Sequence, residues 1–146
     1  MPPENATDPE PDDRRAGEEA LLRAGDEVRR AVLGDAHVDR SRANATEFTR
    51  PLQDFVTEYC WGAIWTRPGL SRETRSLVNI AMLTALGRGD ELKLHVRGAL
   101  RNGCRIEDVQ EVLLQAAVYC GVPAALEASR HAQAALDAAP DTPASE

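Results

Sequence analysis

The sequence predicts an all-α protein, and three observations carry that prediction. Aromatic residues make up only 4% of the 146-residue chain while alanine is abundant, which suits closely packed helices better than a sandwich or barrel. Apolar residues recur at helical spacing in one segment after another. No segment keeps the alternation that a half-buried strand requires.

Six helices follow in order. The first is expected from about Arg14 to Leu33, with Gly34 as its terminator. A polar connection, "DAHVDRSRANA", comes next. The second helix runs from about Thr46 to Gly62, with Phe48, Leu52, Phe55, Val56 and Tyr59 on one stripe. "WTRPGL" breaks that pattern at Pro68 and Gly69. Ser71 is the expected N-cap of the third helix, which reaches about Leu86 and is apolar nearly all round after Arg75, as a buried central helix would be. Asp90 is expected to cap the fourth, which stops at Asn102-Gly103 and puts Leu92, His95, Val96 and Ala99 on one face. The fifth spans about Glu107 to Cys120, with Val109, Val112, Leu113, Ala116 and Ala117 inward, and Tyr119 is expected in the core. Pro123 opens the sixth, which ends near Ala138. Short connections make neighbouring helices roughly antiparallel.

The formal charge of −7 sits at the ends. Residues 1–13 hold five acids and no base, and residues 137–146 three acids and no base, so the body between them is about neutral. That excludes a basic nucleic-acid face and a polybasic membrane anchor. Residues 14–138 are expected to form one helical domain between a disordered acidic tail, 1–13, and a second disordered tail, 139–146. No apolar run approaches the ~20 residues that span a bilayer, and the N-terminus lacks the pattern of a secretory signal, so the expected location is cytoplasmic. Cys60, Cys104 and Cys120 are isolated and odd in number, against a disulfide framework, a zinc site or a dithiol centre.

The stretch "GRGDELKLHVRGALRNG" carries the chemistry-bearing pair. Glu91 and His95 stand four apart, beside Lys93, the chain's only lysine. Two readings stand on this pattern: a solvated ion pair on a surface helix, or an acid–base centre in which the carboxylate holds the imidazole and favours its charged form. One His and one Glu leave the remaining ligands of a metal unsupplied, so no metal is expected.

Four blocks, "VRRAVLGDAHVDRS", "WGAIWTRPGLSRETRSL", "ELKLHVRGALRNG" and "EVLLQAAVYCGVPAA", occur in order between about Gly25 and Leu136. Together they resemble the carboxymuconolactone decarboxylase family, within the alkylhydroperoxidase D-like superfamily. The resemblance implies an alkylhydroperoxidase D-like helical domain assembled as a homo-oligomer, a trimer or hexamer. It also implies cofactor-free decarboxylation of 4-carboxymuconolactone to 3-oxoadipate enol-lactone, in the protocatechuate branch of the β-ketoadipate pathway. The redox branch of that superfamily carries C-x-x-C-x-x-x-H where this chain has Arg88, Glu91 and His95, so peroxidase chemistry lacks both thiols. Cys60 and Ala63 depart from the more polar residues expected in the decarboxylases.

On that resemblance His95 is the proton donor, Glu91 its partner, and His37 completes the site from a neighbouring subunit. Arg67, Arg75 and Arg88 anchor substrate carboxylates through their planar forks. Trp61 and Trp65 wall a dry pocket over a flat lactone dicarboxylate. His131 is expected to be structural. Two alternatives stand beside this one: a sibling enzyme on another small lactone or carbonyl compound, and a non-catalytic helical oligomer.

Overall fold

The computed structural model describes residues 11–138, and every regular element among them is helical. The expectations for residues 1–10 and 139–146 lie outside the described residues. Helix α1 (Pro11–Leu33) begins three residues before the expected start and ends at Gly34, whose φ of 88° lies in the left-handed region that favours glycine.

The segment expected as a polar connection is a nine-residue helix, α2 (Asp35–Ala43). Asp35 in its first turn and Arg40 and Arg42 in its last complement the helix dipole, while Val38, fully buried, pins it to the core. With a single buried apolar residue it has no amphipathic period to read.

The expected second helix starts late and changes its winding. Thr46 and Thr49 exchange hydrogen bonds between each backbone N–H and the other's hydroxyl, at 2.9 and 3.3 Å, and hold a turn there. Helix α3 (Arg50–Phe55) follows, with Pro51 in its first turn, and runs on as a π-helical segment, Val56–Ile64. The i→i+5 bonding continues to Trp65, whose N–H donates to the Cys60 carbonyl at 3.0 Å. This segment crosses α1 backbone to backbone. A Cβ at Gly25 would lie 1.9 Å from the Thr57 carbonyl oxygen, and one at Gly62 would lie 2.3 Å from that of Leu21. Only glycine fits at either place.

Helix α4 (Arg72–Leu86) is capped as expected, the Ser71 hydroxyl accepting from Thr74 N–H at 3.2 Å. It is not buried all round. Ser76, Ile80 and Thr84 face inward, whereas Val78, Met82 and Leu86 are exposed. Helix α5 (Gly89–Arg101) starts before Asp90, with Arg88 in the N-cap position, and Asp90 instead accepts from Lys93 Nζ at 3.1 Å. Helices α6 (Ile106–Cys120) and α7 (Val122–Asp137) complete the described residues, with Pro123 in the first turn of α7. Tyr119 is 82% exposed, contrary to the core position expected for it: it lines a surface groove with Leu77, Val78 and Ala81 of α4 and does not enter the core.

Two cores result. Ile80, Leu92, Val96, Ala99, Val109 and Leu113 join the alanines of α7 in one, and Val28, Val32, Leu33, Val38, Trp61 and Trp65 form the other. Helix α5 stands between them: Leu92 and Val96 enter the first, and Leu94 packs on the second. At Gly98 it approaches Val32 of α1 so closely that a Cβ would lie 2.8 Å from Val32 Cγ1. The central helix is therefore α5 rather than α4.

Candidate active site

The α5 position between two cores decides the environment of His95. Its ring is half-buried and faces the second core, where the π-helical segment presents Trp61 and Trp65, 4% and 5% exposed. The indoles stack on each other with centroids 4.9 Å apart. The imidazole lies parallel to Trp61 within 4°, centroids 6.1 Å apart, and 6.3 Å from Trp65. From α4, Asn79 brings its Nδ2 to 3.4 Å from His95 Nδ1. With the amide so oriented Nδ1 accepts, and the neutral ring carries its proton on Nε2.

Burial among these groups pushes the His95 pKa down to about 4; Glu91 raises it and His37 lowers it, both less than burial does. His95 is thus neutral in the free protein at pH 7, contrary to the charged ring expected from the Glu91 spacing. The reason is geometric. The Glu91 carboxylate turns to the Arg88 guanidinium, which bonds it and holds its pKa below the usual range, and Asn79 takes the contact with the ring. Glu91 acts on His95 only through space, from a half-exposed position where its field is screened.

Arg75 lies one turn before Asn79 on the same face of α4. Its Nη2 donates to the Arg67 carbonyl at 3.0 Å, and its Nε is enclosed without an acceptor. That bond fixes the loop leaving Trp65, while Arg67 itself is exposed. His37, half-buried on α2, is near enough that its charge disfavours one on His95. His131 of α7 packs its ring against Gly89, where a Cβ would meet Nε2 at 2.2 Å, which fits a structural role.

The structure thus gathers His95, Trp61 and Trp65 directly and sets Arg75 and His37 at the margin. It leaves Arg88 and Glu91 paired with each other at the exposed start of α5. Asn79 was missed by sequence reasoning. Its signal was there, as the only amide inside the apolar run "LVNIAML".

Fold and site define a small protein, all-helical over the described residues, in which a partly desolvated imidazole, His95, stands between aromatic walls and an amide, an arrangement suited to proton transfer. Comparison with known proteins narrows this class. The carboxymuconolactone decarboxylase family profile matches residues 50–134. A 4-carboxymuconolactone decarboxylase of Acinetobacter baylyi is 44% identical over 116 residues, 80% of this chain and 87% of that protein. A nitrosuccinic acid decarboxylase of Metarhizium robertsii is 45% identical over 108 residues, 74% of this chain and 76% of that protein. A 15.0 kDa protein of Paracoccus denitrificans is 30% identical over 116 residues, 77% of this chain and 85% of that protein. The chain belongs to the carboxymuconolactone decarboxylase family.

Proposed function

We propose that this protein is a cofactor-free carboxy-lyase that converts 4-carboxymuconolactone to 3-oxoadipate enol-lactone, acting as a cytoplasmic homo-oligomer, a trimer or hexamer. The observation that carries the reading is the His95 setting: a neutral, desolvated imidazole between stacked indoles and Asn79, with Arg75 one turn away. The 44% identity to a decarboxylase of that name, over most of both chains, supports the substrate.

In the reaction, the bond from the γ-carbon to its carboxylate breaks and CO₂ leaves. The electron pair moves through the conjugated C=C to the lactone carbonyl oxygen, giving a dienolate. A proton added at the α-carbon completes the enol-lactone, so each turnover consumes one proton. The ring is its own electron sink, and the protein supplies a carboxylate anchor, donors for the oxyanion and the proton. Arg75 and the exposed Arg67 are the anchors in this reading, and Arg88 can join them only by leaving Glu91. His95 is neutral until the dianionic substrate arrives. The substrate's charge then raises the imidazole pKa, so the ring takes up a proton and delivers it to carbon. His37, close enough to act on His95, is the second candidate for that proton.

A second reading rests on the nitrosuccinic acid decarboxylase relative at 45% identity. A nitro group beside a departing carboxylate is likewise an internal electron sink, so the same site serves either acid. Turnover decides between them: CO₂ release from carboxymuconolactone should exceed that from nitrosuccinate, and the reverse order would reassign the substrate. Added EDTA should leave the rate unchanged, and loss of activity would overturn the metal-free mechanism. His95→Ala should lower kcat by about 10²-fold or more with the circular dichroism spectrum intact. A drop under about threefold would move the acid to His37.

A further inference from the structure

Arg29 of α1 is a buried cation to which no acid is bonded among the described residues. It is 5% exposed, and its hydrogen bonds go to neutral oxygens: Nη1 donates to Thr57 Oγ1, and Nη2 to Ser41 Oγ and Gln53 Oε1, each at 3.1 Å. Its Nε is enclosed without an acceptor. The nearby acid on its own helix, Asp26, is engaged elsewhere, by Arg30 Nε at 3.1 Å and Arg42 Nη2 at 2.7 Å. Asp35 and Asp39 are bonded to Arg30. A buried charge in this condition costs stability unless something pairs it. Burial first and the Arg42 charge second lower the Arg29 pKa, against a smaller upward pull from Asp26.

Beside it lies a cavity of about 210 Å³, lined by Arg29, Arg42, Arg50, Gln53, Asp54 and Thr57 among others. The lining carries three guanidinium groups against a single carboxylate. Its volume falls short of the roughly 300 Å³ at which pockets for drug-sized ligands begin, so the fit is to a small ion. We propose that this cavity is a binding site for a small oxyanion, a carboxylate or inorganic phosphate, held by Arg29, Arg42 and Arg50. The site is separate from the His95 centre and does not depend on the reaction assigned there. The Arg29–Thr57 bond ties it to the π-helical segment, one turn before Trp61.

The test is calorimetric titration of the full chain, with thermal melts alongside, using inorganic phosphate in one arm and succinate in the other. Ionic strength is held constant with chloride. At least one of the two anions should bind saturably and raise Tm beyond the chloride control. Phosphate binding alone identifies a phosphate ligand, and succinate binding alone a carboxylate. Arg50→Gln, at an exposed position that leaves packing untouched, should weaken binding about tenfold. Arg29→Met should abolish it while the protein still melts cooperatively, since Ser41 and Gln53 keep each other and Thr57 keeps the Gln53 carbonyl. If Arg29→Met fails to fold, Arg50→Gln alone decides. No binding beyond chloride, or undiminished binding in Arg50→Gln, overturns the proposal.

Discussion

At His95 two effects oppose each other. Enclosure by the indoles and Asn79 disfavours the imidazolium, and the Glu91 carboxylate favours it. Enclosure wins because Glu91 is half-exposed and already bonded to Arg88. The consequence for stability has a definite sign. With a folded pKa near 4 against about 6.5 in the unfolded chain, the neutral ring contributes its full stability above pH 6.5. That contribution, up to about 3 kcal/mol, is lost as pH falls from 6.5 towards 4. Urea melts across that window should show the loss in the wild type and a flatter profile in His95→Gln; parallel profiles would mean the ring is not desolvated. The same placement shapes the kinetics. Because the free imidazole must gain a proton before giving one, kcat/KM should rise as pH falls towards about 4. The kcat plateau should extend to higher pH, since bound dianion raises the ring's pKa. A common limb for both would exclude proton uptake on binding. The sequence named His95 and both indoles, but its spacing rule paired the ring with Glu91. It could not show that Asn79, 16 residues earlier, wins the contact, because that depends on how α4 crosses α5.

Among elements, the crossing of α1 on the π-helical segment is the most exacting contact. Gly25 and Gly62 meet backbone oxygens, which do not yield as a flexible side chain would. Gly62→Ala should cost about 2–3 kcal/mol in urea unfolding, from overpacking against rigid backbone. Gly17, with nothing within 4 Å of a Cβ, should instead gain about 0.5–1 kcal/mol on substitution by alanine. If the two substitutions cost the same, the crossing opens easily. Apolar patterning and terminal signals revealed the long helices α1 and α4 to α7, although α1 is exposed from Asp12 to Ala20 and buries only its C-terminal half. They failed for α2, which hangs on Val38 alone, and for the change of winding after Phe55, which comes from packing against α1 and leaves no mark in local pattern.

Across the whole molecule, apolar side chains remain uncovered on several helices. Phe48, Leu52, Phe55 and Tyr59 are exposed around α3 and the π-helical segment, and Leu114, Val118, Val122 and Leu126 on α6 and α7. The apolar stripe read from the sequence of the second helix, Phe48, Leu52, Phe55 and Tyr59, thus faces outward in a single chain. Two unlike apolar surfaces suit head-to-tail contacts that close into a ring, as the proposed trimer or hexamer requires. Light scattering should show an assembly for the wild type, and Leu126→Glu should reduce it to smaller species that keep their helical spectrum. A wild-type monomer would remove the assembly from the proposal. The arrangement of the second core has one more consequence. The chain holds two tryptophans, and both lie against His95. Indole emission excited at the red edge of absorption thus comes wholly from this one place, so the intact protein is its own reporter. Protonation of the imidazole or arrival of a ligand can be followed optically, with no label attached.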